Sequence, residues 1–194
     1  MPARVLVFGD AHIPSRRDSI PREFYEHIER SNYDMALITG DLVREKDFRD
    51  ALPSLPRSFI VRGNMDYSGG SYNFHELVQI DELRFLLIHG TQLRPRGNIK
   101  QLSDVVDNVD ADVAIHGHTH KATIDLLKER LFLNPGTISG ATGGWAGRTE
   151  ASFMELEIQG NNVEVTLYKT DWNVVKTSVI HYRKSEDAMV RVDK

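Results

Sequence analysis

The sequence predicts an α/β domain built on two packed sheets, and three observations carry that expectation. The first part of the chain alternates short apolar runs with helix-periodic stretches. The second part is mostly strand, joined by tight turns, and no linker, repeat or low-complexity segment separates the two. At 194 residues the chain suits one well-buried domain over 1–194 rather than two.

In chain order, Arg4 to Phe8 reads as a strand rich in Val, Leu and Phe without clean alternation, the pattern of strands covered on both faces. Ile20 to Glu29 follows as a helix, with Ser19 as its cap and Pro21 in the first turn, where a missing N–H costs little. Met35 to Thr39 is a second strand, Asp47 to Leu52 a short helix ended by Pro53, and Ser58 to Val61 a third strand. Arg84 to Ile88 and Asp112 to Ile115 are two further strands. Between them Asn98 to Val109 is a helix, because Ile99, Leu102, Val105, Val106 and Val109 keep helical spacing behind an Asn98 cap. Lys121 to Leu127 with Arg130 to Asn134 reads as a hairpin. Ser152 to Ile158 with Val163 to Thr170, around Gly160-Asn161, reads as another. Val174 to Tyr182 is a last strand, placed at a sheet edge where another chain could pair.

Composition narrows the function classes. With 40% hydrophobic and 27% charged residues and a net charge of -4, the chain is an ordinary globular protein with no basic excess that would point to nucleic acid. It has no cysteine, which removes disulfides, thiolate metal sites and cysteine nucleophiles, so any metal must be held by nitrogen and oxygen. No apolar run approaches the ~18 residues of a membrane span. Met1 to Phe8 runs straight into Gly9-Asp10 without the features of a signal peptide, so a cytoplasmic location is expected.

The informative feature is how the strands end. The chain reads VLVFGDAH, ALITGDL, FIVRGNMD, FLLIHG and VAIHGHTH: five apolar runs, each followed at once by metal-capable side chains, usually beside a glycine. In open α/β sheets such ends converge on the ligand crevice, so groups distant in sequence can meet there. Glycine lets the backbone turn sharply and keeps the approach open. The candidate ligands are Asp10, His12, Asp41, Asn64, His89, His118 and His120. Four imidazoles, two carboxylates and one amide exceed what one ion needs and suit two divalent ions sharing a carboxylate. Such a pair can hold a hydroxide and clamp an in-line displacement at phosphorus. Imidazole with carboxylate favours Mn, Fe, Co, Ni or Zn over Mg or Ca.

The ordered set GDAH, GDL, GNMD, HG and GHTH, over roughly residues 4 to 183, resembles the calcineurin-like metallophosphoesterase superfamily in its small phosphodiesterase branch. GDAHIPSRRDSIP, IVRGNMD, RPRGN and NPGTISGA further resemble the phosphoesterase-fold (vacuolar protein sorting 29-like) subunit of the retromer sorting complex, which serves chiefly as a protein scaffold. The resemblance implies a four-layer α/β/β/α sandwich of two mixed sheets flanked by helices. It implies Asp10, His12 and His120 as ligands of one metal and Asn64, His89 and His118 as ligands of the other, with Asp41 bridging. It also implies catalytic roles for Asn64, which would touch the phosphate, for His118, and for Asp66, which would orient a ligand or a water. The substrate implied is a small phosphodiester. The alternative is a non-catalytic interaction module with a protein partner or a second copy.

Two departures from the family pattern bear on activity. Met65 stands where many members have a histidine thought to protonate the leaving group, so esters with poor leaving groups should turn over slowly. Thr91 replaces the second histidine of a His-Gly-His, which removes an extra phosphate contact and leaves His89 as ligand. His116 precedes its glycine and is expected in the core or behind a ligand, while His27, His75 and His181 are expected to be structural or solvent-facing. The glycine-rich stretch from Gly136 to Gly147 lacks a Walker lysine and reads as a loop near the site, with Trp145 either covering substrate or packing. Arg94 and Arg96 either attract an anionic substrate or form a solvated turn. The retromer subunit is more apolar there, so these charges favour the enzyme.

Overall fold

The computed structural model describes residues 1–66, 72–144 and 147–193. Trp145 lies outside them. One sheet has seven strands in the order β12-β11-β10-β9-β1-β2-β3, the other five in the order β4-β5-β6-β8-β7. In the first, β1 (Ala3–Phe8), β2 (Met35–Ile38) and β3 (Ser58–Ile60) run parallel, and β9 (Ala151–Gln159) joins β1 antiparallel. In the second, β5 (Leu83–Ile88), β6 (Val113–His116) and β8 (Arg130–Pro135) are the parallel set. There β4 (His75–Ile80) and β7 (Ala122–Leu127) are antiparallel edges.

Alternation along the strands explains the layers. Val5, Val7 and Leu37 of one sheet meet Phe85, Leu87, Ile115 and Leu133 of the other in the central core. Leu6, Phe8 and Ile38 point outward beneath α1 (Arg22–Arg30) and α2 (Glu45–Asp50), against Phe24, Ile28 and Phe48. On the opposite side Leu86, Ala114 and Phe132 receive Leu102 and Val106 of α3 (Ile99–Val109). The result is the expected α/β/β/α sandwich.

Asn98 caps α3 as read, its side chain accepting the Gln101 N–H at 3.2 Å. Ser19 does not cap α1: Pro21 takes the cap position and no side chain bonds the first turn. Two strands escaped the sequence. In β4 only Val78 and Ile80 are buried, and the rest of HELVQI is polar or exposed, so too little apolar signal remained to mark it. The other, β12 (Ala188–Val192), is short and anchored mainly by buried Met189. It corrects the edge assignment of the 174–182 strand: β11 (Val175–Ser185) is second from the edge over His181 to Ser185, where β12 pairs with it, and lies open only over its first half. β10 (Asn162–Thr170) covers its other side from Val175 to Arg183.

Because Phe85 fills the centre between the sheets and is fully buried, Phe85→Ala should lower stability by about 3–5 kcal/mol. Urea unfolding followed by circular dichroism would check this.

Candidate metal centre

The parallel triplets of the two sheets send their carboxyl ends to one cleft. Asp10 and His12 leave β1, Asp41 leaves β2, Asn64 follows β3, His89 follows β5, and His118 and His120 follow β6. Asp10, His12, Asp41 and His120 each bring a ligand atom within 4.8 Å of the others, and Asp41, His89 and His118 do the same. Asp41 belongs to both groups.

Each carboxylate is split between scaffold and cleft. Asp10 Oδ2 accepts the His118 N–H at 2.9 Å, while Oδ1 has no hydrogen-bond partner and lies 3.6 Å from His120 Nε2. Asp41 Oδ1 accepts the Met65 N–H at 2.7 Å, while Oδ2 stands 3.3 Å from His12 Nε2 and 3.5 Å from His89 Nε2. The Met65 side chain carries no proton donor, yet its backbone N–H fixes the shared carboxylate.

The imidazoles are oriented in the same way. His89 Nδ1 donates to the Thr39 carbonyl at 2.7 Å and His120 Nδ1 to the Ala141 carbonyl at 2.6 Å, which turns the Nε2 lone pair of each into the cleft. His120 Nε2 lies 3.2 Å from His12 Nε2, and His89 Nε2 lies 3.3 Å from Asn64 Oδ1. The Nε2 acceptors of His89 and His120 thus face carboxylate and amide oxygens across the cleft, an arrangement that a cation satisfies. The donor set fits a metal.

Five of the seven candidate ligands, Asp10, His12, Asp41, His118 and His120, hold φ between 49° and 70°. These left-handed conformations are costly for residues with a Cβ and gather at functional sites. The adjacent glycines were expected to allow sharp turns and an open approach: Gly40 and Gly90 hold φ of 92° and 98°, and Gly63 and Gly117 serve close approach. A Cβ on Gly117 would lie 2.6 Å from Thr39 Oγ1 and 2.8 Å from Asp10 Oδ2, and one on Gly63 would collide with the Asp41 carboxylate.

Asp66 is oriented away from open chemistry. Its carboxylate accepts four backbone N–H groups, of Asp41, Leu42, Val43 and Gly63, at 2.7–2.9 Å. It thereby clamps the turn that carries Asp41. Asn134, at the end of β8, was not singled out from the sequence. Its Nδ2 lies 3.2 Å from the Gly117 carbonyl, 3.0 Å from Thr119 Oγ1 and 3.2 Å from His116 Nδ1, so it braces the turn bearing His118 and His120. The signal was available: LFLNPG is a sixth apolar run ending in a polar side chain and a glycine, hidden because β8 was read only as the return arm of a hairpin. His116 is buried, as expected. His27 and His181 bind Glu155 and Glu164, and His75 is exposed at the start of β4.

Burial is the main electrostatic force in the cleft. It pushes Asp41 up to about 6, opposed chiefly by His89. It pushes His12 down to about 2, helped by Arg16, and His118 down to about 3, helped by Arg96. Burial likewise lowers His116 to about 4. His12 and His118 thus stay neutral, as ligands must, and so does His116 behind them.

The profile of the calcineurin-like phosphoesterase superfamily domain matches residues 3–161. The chain belongs to that superfamily. A probable metallophosphoesterase of Methanocaldococcus jannaschii is 34% identical over 131 residues, 68% of this chain and 66% of that relative's length. Among solved structures, a single mutant of Vps29 from Entamoeba histolytica superposes with a TM-score of 0.85 at 31% identity, over 93% of this chain and 99% of that one. Wild-type Vps29 of the same organism complexed with zinc gives 0.82 at 30%, over 92% and 98%. Membership agrees with the observed fold, and the clusters of carboxylates and imidazoles are placed where they could hold divalent metal.

Two predictions follow from the geometry. Asp66→Asn replaces an acceptor-only carboxylate facing four N–H donors with a group that itself donates, and should cost about 2–4 kcal/mol, read by urea denaturation. In protein stripped of metal, His12, His116 and His118 bind protons unfolded near 6.5 but folded only far lower. Their contribution is present above 6.5 and lost as pH falls. Asp41, raised, runs the other way, its contribution fading as pH climbs through about 6. Three against one, stability should fall from pH 6.5 towards 4, visible as a falling Tm in a pH series.

Proposed function

We propose that this chain is a binuclear metal-dependent phosphodiesterase, a phosphoric ester hydrolase acting on small phosphodiesters. The observation that supports this best is the pair of ligand clusters sharing Asp41. In this reading Asp10, His12 and His120 hold one divalent transition metal, and Asn64, His89 and His118 the other. Two such ions would supply an activated water as nucleophile and neutralise charge on the phosphoryl oxygens. Mn, Ni, Co, Fe and Zn all suit the donors, and the zinc complex of an Entamoeba histolytica Vps29 favours including zinc.

The chain's own residues do the rest. Asp66 and the Met65 N–H fix the shared carboxylate, and Asn64, exposed at the cleft mouth, reaches the phosphate. Arg94 and Arg96 are exposed and close enough to His118 to lower its pKa, so the mouth carries a positive field that favours an anionic substrate. Met65 cannot deliver a proton, which restricts turnover to esters with good leaving groups. Among the described residues no helix is long and apolar enough to cross a membrane, and we place the protein in the cytoplasm.

A second reading is a protein-interaction scaffold, favoured by the likeness to Vps29 over nearly the whole chain. One experiment separates them. Metal content and hydrolysis of an activated aryl phosphodiester and its monoester are measured with Mn and Ni added. The enzyme reading expects close to two metals per chain, diester turnover well above monoester turnover, and about a hundredfold loss or more in His118→Ala. Fewer than one metal per chain and no turnover above that variant would leave the scaffold.

A further inference from the structure

β11 pairs with β10 from Val175 to Arg183 but with β12 only from His181 to Ser185. Among the described residues nothing pairs with its other edge from Val175 to Ile180, and no backbone hydrogen bond from another segment reaches it there. The open stretch is bounded at both ends. Asp171 Oδ1 accepts the N–H groups of Asn173 at 3.0 Å and Val174 at 3.2 Å, in the turn that joins β10 to β11, and Val192 of β12 occupies the place opposite His181.

Hydrogen-bond direction alternates along a strand, and two bonds fix its phase here. The Lys184 N–H donates to the Asn161 carbonyl at 2.8 Å, on the β10 side, and the Met189 N–H opposite Lys184 donates to the Glu129 carbonyl at 2.7 Å, away from β11. Even-numbered residues of β11 therefore bond β10, while Val175, Thr177 and Val179 direct N–H and C=O at the open edge. Side chains alternate likewise. Thr177 stands opposite Tyr168, which packs on Phe153 and His27, so Val175, Thr177 and Val179 share the outer face, while Ile180 and Tyr182 turn to the central core. All three outer residues are exposed, Val179 to 51%.

Such an edge is a template for another strand, and this one is complementary to itself. In a two-fold antiparallel arrangement centred on Thr177, Val175 faces Val179 of the second copy, Thr177 faces its own counterpart and Val179 faces Val175. Each pair exchanges both N–H···O bonds, and β-branched side chains meet β-branched side chains. On the other face Lys176 meets Ser178, so no charge directly opposes its own copy. The neighbouring registers fail. Centred on Ser178, Val175 would fall opposite His181, where Val192 already lies. Centred on Lys176, the lysine would oppose itself and Val179 would fall opposite Asn173 in the turn. We propose that β11 joins two copies of this chain edge to edge through Val175 to Val179, so that the seven-stranded sheets continue across the two-fold axis. The contact includes none of the candidate metal ligands and stands whichever function the cleft has. So short a strand pair buries less than the about 1,200 Å² of stable complexes, so the dimer is weak and populated above roughly 100 μM.

The test is sedimentation equilibrium of the full-length protein between about 10 μM and about 1 mM, with amide hydrogen exchange read by NMR at the two extremes. The proposal expects a monomer–dimer equilibrium in which the amides of Val175, Thr177 and Val179 gain protection at high concentration. Those of Lys176, Ser178 and Ile180, bonded to β10 in either state, should not change. Thr177→Pro removes an N–H that bonds nothing within one copy, and Val179→Lys sets a charge against each facing valine. Each should weaken dimerisation about tenfold or more while leaving the circular dichroism unchanged. Val179→Lys alters only an exposed side chain, so it carries the test if the proline disturbs the strand. A monomer at every concentration would overturn the proposal and make Lys176 the guard of a blunted edge. A dimer with unchanged exchange at the three amides, or one that Val179→Lys leaves intact, would overturn it by placing the interface elsewhere.

Discussion

The structure turns on two buried carboxylates that are each half committed. Asp10 and Asp41 give one oxygen to a backbone N–H and keep the other in a cleft among imidazole nitrogens. The backbone donors are those of His118 and Met65, so each carboxylate ties together loops that follow different strands. In the metal-free chain this arrangement is costly, since carboxylate oxygens are buried without a counter-charge. A cation there reverses the sign of the interaction, which makes metal binding and stability of the strand-end loops one equilibrium.

Much of this was legible in the sequence because the fold places chemistry by a simple rule. Parallel strands covered on both faces read as apolar runs, and whatever follows them lies in the crevice, so five runs with polar endings disclosed seven residues that do gather. The rule failed where its signal was masked. The sixth parallel strand, β8, ends in Asn134, but its antiparallel pairing with β7 had already explained it as a hairpin arm. Periodicity reports only apolar faces, so β4, with two buried side chains, left no mark. The role of Asp66 was beyond any spacing argument, because its four partners are backbone N–H groups, which have no identity in a sequence.

The glycines beside the ligands divide the two tasks expected of them. Gly40 and Gly90 supply the turns, while at Gly63 and Gly117 the gain is room: the backbone of one loop lies against the carboxylate or hydroxyl of another. Unusual dihedrals fall on the ligands themselves as well, five of which sit in the left-handed region. That strain has to be maintained by the surrounding hydrogen bonds, and Thr39, Asp66, Asn134 and Ala141 are the residues that supply them.

This division of labour bears on the choice between enzyme and scaffold. A docking surface requires an outer face, and nothing about an outer face demands that four imidazoles be gathered, two of them with their protons directed onto backbone carbonyls, around carboxylates with an oxygen left in the cleft. Such an interior is destabilising unless something charged enters it, and the braces that preserve it are spread over both sheets. A protein that used only its exterior would gain stability by filling the cleft with apolar side chains, as buried ionic groups elsewhere can be replaced without loss. The acceptor atoms that face inward from Asp10, Asp41, His89 and His120 are therefore an argument for metal in the cleft.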